Sequence, residues 1–394
     1  MALFDKCFEF KKMVDYVKSH NQFFYLREID PAASPIVNRK GKKLIMLGSN
    51  NYLNLTEHPK VKEAAIKAVE KYGTGSCGSR ILTGTTSIHT QLEQKLAVFK
   101  KTEDSITFSA GFLALMATIA AITNEKDIIF SDELNHASII EGCRLSKAQT
   151  KVYKHNDMAS LEEELAKCDA SLNKLIITDG VFSMKGDVCD LPGIKRLADK
   201  YRAEIMVDDA HGTGVLGKMG RGTLEHFDME GQISLISGTF SKSFAAVGGF
   251  TCAKTAIIDF LKLTSRPFIF TASPPPSVAA TILASLEVIE QEPEIIQKLH
   301  KNSSFLKKGL KDLGFVIEDT ITPIIPILIN NDEKTFMMTG LMEQEGVFVN
   351  PVIPPAVPKN QSIIRVSLTA GHTENDLGFA LEKFKIVGKK LGVI

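Results

Sequence analysis

Apolar and polar positions alternate along this chain in two different periods. Over the first twenty or so residues Leu3, Cys7, Phe10, Val14 and Val17 recur at helical spacing, with lysines between them. The spacing predicts an N-terminal helix. Its apolar stripe has two readings: packing on the body or on a second subunit, or contact with a membrane surface or acyl chain. Between about residues 50 and 290 helical stretches alternate with short apolar runs. These runs include Ser105–Phe108, Asp127–Phe130, Lys174–Thr178, Glu204–Val207, Ile233–Ile236 and Gly249–Cys252. Such alternation predicts a parallel or mostly parallel sheet wrapped by helices. Ser273-Pro-Pro-Pro276 breaks the pattern, and a helical stretch over 277–292 leads out of it. The tail predicts helices over 294–313, 334–345 and 374–391, with strands over 315–318, 324–329, 347–350 and 363–368. The expected organisation is an N-terminal arm and helix (1–48), a large α/β domain (49–290) and a small α+β domain (291–394).

Length agrees with that division, because 394 residues exceed what one core accommodates. Charge narrows the partners: 47 basic side chains balance 46 acidic ones, which argues against nucleic acid. The six cysteines are scattered without a C-x-x-C pair and read as thiols of a reducing compartment. The N-terminus lacks the apolar core of a signal peptide. The longest apolar stretch, 108–122, is interrupted by Ser109, Gly111 and Thr118 and is too short to span a bilayer. A cytoplasmic enzyme is the expectation.

The chemistry collects where apolar runs end. Lys242 follows the run 233–236, within Ser237-Gly-Thr239-Phe-Ser241-Lys242. An amine partly desolvated among small residues has a lowered pKa and, when neutral, forms a Schiff base. Upstream, the run 204–207 ends in Asp208-Asp209-Ala210-His211. An acid at one strand end and an amine at another is the layout of a pyridoxal phosphate site. The acid keeps the pyridine nitrogen protonated and the lysine carries the aldehyde. In open α/β sheets ligands sit beyond the carboxyl ends of the strands, where Asp179, Asp208, His211 and Lys242 all fall. His136, just past another run, reads either as a flat ring stacking on a cofactor or as a histidine at a helix start. Ser109-Ala-Gly111-Phe112 opens a helix whose backbone N–H groups suit a phosphate. The glycine-rich stretch 73–80, ending in Arg80, reads either as a mobile loop over a substrate or as a structural turn. Arg365, inside an apolar strand-like run, is either edge-exposed or recruited by an anion such as a substrate carboxylate. Gly212-Thr-Gly214-Val-Leu-Gly217 matches a dinucleotide fingerprint but opens no amphipathic helix and follows two aspartates, so that reading is rejected. No histidine pair has metal spacing.

These residues, with Gly48-Ser-Asn50-Asn-Tyr-Leu53, Asn135-His136-Ala-Ser138 and Asp179-Gly-Val-Phe-Ser183, resemble the α-oxoamine synthase family of fold-type-I pyridoxal phosphate enzymes from about Phe24 to Val393. The family includes 8-amino-7-oxononanoate synthase, 2-amino-3-ketobutyrate CoA ligase and serine palmitoyltransferase. The resemblance implies that Lys242 carries the cofactor, Asp208 pairs with its ring nitrogen, His211 with its ring hydroxyl, and His136 stacks on the ring. It puts Asp179 and Ser183 beside the ring, and Gly111, Phe112 and Thr239 around the phosphate. Asn50, Arg365 and Arg27 become substrate residues. It implies a homodimer with shared sites, in which Thr271 or Ser273 reaches the partner's phosphate and loops 73–80 and 270–276 meet across the two-fold axis. The implied reaction joins serine, alanine or glycine to an acyl-CoA or acyl carrier protein, releasing CoA and usually CO₂. The stretches 25–28, 333–336 and 346–355 resemble serine palmitoyltransferases, whereas 75–81 is nearer the oxononanoate and ketobutyrate types. An aminotransferase on the same fold is the alternative from another reaction class.

Overall fold

The computed structural model describes residues 2–20, 22–31 and 34–394. They form two compact units. The larger comprises Asn50–His300 with Thr320–Thr322, and the smaller comprises the residues up to Ser49 with Lys301–Asp319 and Pro323–Ile394.

A seven-stranded sheet organises the larger unit. Across it the strands run Asp104–Phe108, Gly249–Ala253, Leu235–Thr239, Ala203–Asp208, Asn173–Asp179, Asp127–Asp132 and Gln149–Tyr153. Only Gly249–Ala253 opposes its neighbours; every other pairing is parallel. This is the mostly parallel α/β architecture expected from the sequence. A parallel sheet needs both faces covered, and Ile128, Ile129, Phe130, Ile176, Ile177, Met206 and Val207 are all buried. One face packs on the helix Gly111–Ile122, whose Ala114, Leu115 and Ile119 join Ile106, Ile129, Ile177 and Met206 in a single cluster. Each such aliphatic side chain contributes about 1.5–3 kcal/mol on burial.

The strands depart from the expected pattern in the N-terminal hairpin described below, at Gln149–Tyr153 and at 315–318. Gln149–Tyr153 is a strand the apolar pattern does not mark, because only Tyr153 is buried on this sheet edge. The stretch 315–318 is reduced to one bridge, Ile317 opposite Ile327.

In the smaller unit, strands Ile36–Arg39 and Lys42–Met46 form a hairpin. Lys40 and Gly41 turn it with φ of 50° and 79°, the left-handed pair a tight two-residue connection requires. A second sheet sets Ile363–Ser367 between Ile324–Leu328 and Asn350–Val352. The N-terminal helix Asp5–Ser19 buries none of its side chains, and Phe8, Phe10, Met13 and Tyr16 are exposed. No helix among the described residues is long and apolar enough to cross a membrane.

Candidate active site

At the carboxyl end of the large sheet a cavity of about 270 Å³ is lined by Lys242, Asp208, Asp179, His136, His211 and the Gly111–Thr239 contact. A larger cavity, about 620 Å³, lies at the amino ends of the same strands around Asp127, Asn173 and Leu235. Its acids Glu103, Asp127 and Glu204 already accept bonds from Thr255, Asn124, Asn173 and Ser234. The convergent acid, amine and imidazoles all belong to the smaller cavity.

Lys242 sits on the loop joining Leu235–Thr239 to Gly249–Ala253, adjacent antiparallel strands closed by the pair Thr239–Gly249. Ser243 Oγ donates to the Thr213 carbonyl at 2.8 Å, and Phe244 packs edge-on against Phe99 and Phe240. The lysine is therefore held by a braced turn. Asp208 and Asp179 end neighbouring parallel strands and stand opposite each other in register. Both are buried, and burial raises both pKa values. Asp208 rises to about 6, with Lys242 and the Ala210 N–H drawing it back. Asp179 rises well above the ordinary carboxylate range, pushed further by Asp208. A cation placed against Asp208 removes this penalty, because it favours the charged carboxylate.

His136 caps the helix Ala137–Leu145. Its Nδ1 accepts the Ser138 N–H at 3.3 Å and meets Ser138 Oγ at 2.7 Å. A ring nitrogen that accepts a backbone N–H is unprotonated, so the neutral ring carries its proton on Nε2. Partial desolvation, then the Lys242 cation, lowers its pKa. The two readings of His136 are thus compatible: one nitrogen caps a helix while the ring lines the cavity. Phe112 meets that ring edge-on. Buried His211 pairs through Nδ1 with the Tyr52 hydroxyl at 2.7 Å, and Tyr52 also donates to Asn50 Oδ1 at 3.3 Å.

The helix Gly111–Ile122 has no side-chain cap at its start, which leaves first-turn N–H groups for an anion. A Cβ on Gly111 would lie 2.6 Å from Thr239 Cβ and Oγ1, so only glycine lets this turn approach so closely. Thr239 Oγ1 lies 2.8 Å from Ser241 Oγ and 3.0 Å from the Gly248 carbonyl. Uncapped N–H groups, hydroxyls and a buried acid facing an amine form a donor set that fits pyridoxal phosphate.

Other expected residues fall elsewhere. Ser183, Thr271, Ser273 and Asn50 do not line the cavity. Loops 73–80 and 270–276 meet within one chain. Ser79 bridges Ala272, the Ser273 N–H donates to the Gly78 carbonyl at 2.9 Å, and His89 Nε2 holds the Pro274 carbonyl at 2.8 Å. Arg80 takes the structural alternative: its guanidinium grips buried Glu93 through two bonds, 2.7 and 2.9 Å, and also reaches Thr107. In the smaller unit Arg27 is bound to Glu343, the Val349 carbonyl and Asn350 and lies over the Phe348 ring. These contacts support a structural task for Arg27. Arg365 is buried in the central strand and donates to Ser367 Oγ at 2.7 Å. Tyr52 and Asn135 were not singled out by sequence reasoning. Asn135 accepts the Asp179 N–H at 2.8 Å and donates to the Ile177 carbonyl, joining the His136 turn to the Asp179 strand.

Known proteins resemble this chain along most of its length. The family model for aminotransferase class I and II matches residues 42–384. A serine palmitoyltransferase of Bacteriovorax stolpii is 48% identical over 369 residues, 93% of this chain and 88% of its own. An 8-amino-7-oxononanoate synthase of Petrotoga mobilis is 45% identical over 371 residues, 94% of each chain. Among solved structures, a serine palmitoyltransferase (SPT) holding PLP as its internal aldimine superposes with a TM-score of 0.96 at 34% identity, covering 100% of both chains. Sequence, sheet order and the Lys242–Asp208 cavity converge: the chain belongs to the aminotransferase class I and II family and, within it, to the α-oxoamine synthases.

Proposed function

We propose that this protein is a pyridoxal-phosphate-dependent C-acyltransferase of the serine palmitoyltransferase type. It condenses serine with a long-chain acyl-CoA to give a 2-amino ketone, CoA and CO₂. The observation that carries the reading is the buried Asp208 facing Lys242 in a cavity that also offers an uncapped helix start. Likeness to serine palmitoyltransferases in both sequence and structure favours that member. The 45% identity to an 8-amino-7-oxononanoate synthase supports a second reading, an acyltransferase of that type.

In this reading Asp208 holds the proton on the cofactor's ring nitrogen. His211, fixed by Tyr52, addresses the ring hydroxyl, and His136 presents its neutral ring to the cavity. Gly111, Phe112, Thr239 and Ser241 receive the phosphate. Bound pyridoxal phosphate supplies an electron sink for a carbanion at the amino acid's Cα. Lys242 takes the Cα proton and later returns one. In the cofactor-free protein the charges of Asp208 and Asp179 attract this amine. Arg365 serves the substrate carboxylate, an assignment that rests on the family resemblance and on the planar fork of its guanidinium. The reading includes a cytoplasmic homodimer. The exposed apolar face of the N-terminal helix and six free cysteines support it.

The test crosses serine, alanine and glycine with an acyl-CoA series and measures CoA release. Serine with long acyl chains should release CoA, and Lys242→Ala should abolish it while the protein still binds the cofactor. Production of the cofactor's amine form from amino acid alone, without CoA release, would instead establish an aminotransferase.

A further inference from the structure

The carboxyl end of the sheet holds one group that the reaction described above does not use. His155 follows the edge strand Gln149–Tyr153 and reaches the loops that leave the next two strands. Its Nδ1 lies 3.0 Å from Asp132 Oδ1, and its Nε2 lies 2.7 Å from Asp187 Oδ2. An ionised carboxylate only accepts hydrogen bonds, and a neutral imidazole has one N–H. Serving both carboxylates therefore takes the imidazolium. Burial pulls the pKa of His155 down, but the hydrogen bonds to Asp132 and Asp187 more than reverse this and raise it to about 9. Phe182 packs edge-on against the ring with centroids 4.4 Å apart.

Each carboxylate governs a turn at the cavity. Asp132 ends its strand four residues before His136. It also accepts the N–H groups of Leu134 at 2.9 Å and Asn156 at 2.8 Å, which shapes the turn that delivers His136. Asp187 closes the loop that carries Ser183: the Phe182 N–H donates to the Asp187 carbonyl at 2.9 Å, and the Gly186 N–H to the Phe182 carbonyl at 2.8 Å. Among the described residues nothing hydrogen-bonds the buried Asp187 Oδ1, so this carboxylate depends on its bond to His155. Glu133, which accepts the His155 backbone N–H at 2.9 Å, is the other acid beside the clamp.

We propose that His155 is a positioning residue for the reaction: as an imidazolium it clamps the His136 turn to the Ser183 loop and fixes where His136 stands in the cavity. The kinetic part of this inference rests on the acyltransfer reading, and the spectroscopic part does not.

The experiment uses cofactor-loaded protein with ¹⁵N-labelled histidine, together with His155→Gln and Asp187→Asn. In the wild type both His155 nitrogens should carry protons at pH 7. In His155→Gln the His136 resonances should shift. The kcat should fall on the order of ten- to a hundredfold, the scale of a small misplacement of reacting groups, while KM for both substrates holds. Asp187→Asn keeps His155 paired with Asp132, so it guards against a folding defect in the first variant. It should move both readouts in the same direction, and the double variant should be no worse than His155→Gln alone. A neutral His155 at pH 7, or His136 resonances unmoved in both variants, overturns the clamp. Absence of CoA release from the wild type overturns the acyltransfer reading, and the resonances still decide the clamp.

Discussion

Replacing Asp208 with asparagine should stabilise the cofactor-free protein while destroying its chemistry. The carboxyl is buried, at 4% exposure, and its pKa in the fold is about 6 against an ordinary 3.8. A folded-state pKa above the unfolded one means that the native state binds this proton more tightly than the unfolded chain does. The native state is therefore favoured most below pH 4 and loses stability as pH rises from about 4 to 6. At 1.36 kcal/mol per pKa step, the penalty above pH 6 is about 3 kcal/mol. Asparagine carries no charge, and its Oδ1 can still accept the Ala210 N–H that Asp208 Oδ1 accepts at 3.0 Å. Relief of the neighbouring Asp179, which the Asp208 charge pushes further up, acts in the same direction. Urea unfolding of the cofactor-free wild type and Asp208→Asn at pH 7.5 should show the variant more stable by about 3 kcal/mol. At pH 4 the difference should nearly vanish. Adding pyridoxal phosphate should stabilise the wild type far more than the variant at pH 7.5, because only the carboxylate answers a protonated ring nitrogen. Equal stability of the two cofactor-free proteins at pH 7.5, or a difference that does not shrink on acidification, would refute the reasoning.

Three further outcomes are open to measurement. Arg80→Ala should cost about 3–5 kcal/mol in denaturant unfolding, because it strands the buried Glu93 carboxylate, whereas an Arg80→Met/Glu93→Leu pair should cost much less. Gly111→Ala should weaken pyridoxal phosphate binding by about 1–3 kcal/mol, roughly ten- to a hundredfold in a fluorescence titration, because its Cβ meets a Thr239 already fixed by its hydrogen bonds. Arg365→Ala should raise KM for the amino acid and leave KM for acyl-CoA in place, since the guanidinium is assigned to the carboxylate.

What the sequence discloses of this site depends on how far apart the cooperating residues lie. Lys242, Asp208 and His211 each follow an apolar run, so their delivery to one end of the sheet follows from local pattern and the rule for open α/β sheets. The Tyr52 bond to His211 spans 159 positions, and the His155 bridge to Asp187 spans 32 across two strand ends. No local periodicity encodes such pairs. Arg80 was ambiguous for a different reason: a glycine-rich loop looks the same whether its arginine faces a ligand or a buried glutamate, and only the packing of Glu93 decides. The edge strand Gln149–Tyr153 escaped because one half-covered side leaves it without a continuous apolar run.

The turn that carries Lys242 differs from every other loop of the cavity in how it is anchored. The acids end separate parallel strands and the imidazoles stand on turns that follow such strands, so each depends on long crossovers being wound correctly. The lysine arrives between two strands that pair directly with each other, closed by Thr239 and Gly249. Its stretch, 240–248, has its ends set by that pair, while Ser243 and Phe244 brace its middle against Thr213 and Phe99. One-residue insertions or deletions there would shift the amine relative to an unmoved Asp208. Amine and acid thus stand on separately anchored segments, the amine on a hairpin connection and the acid at the end of a parallel strand.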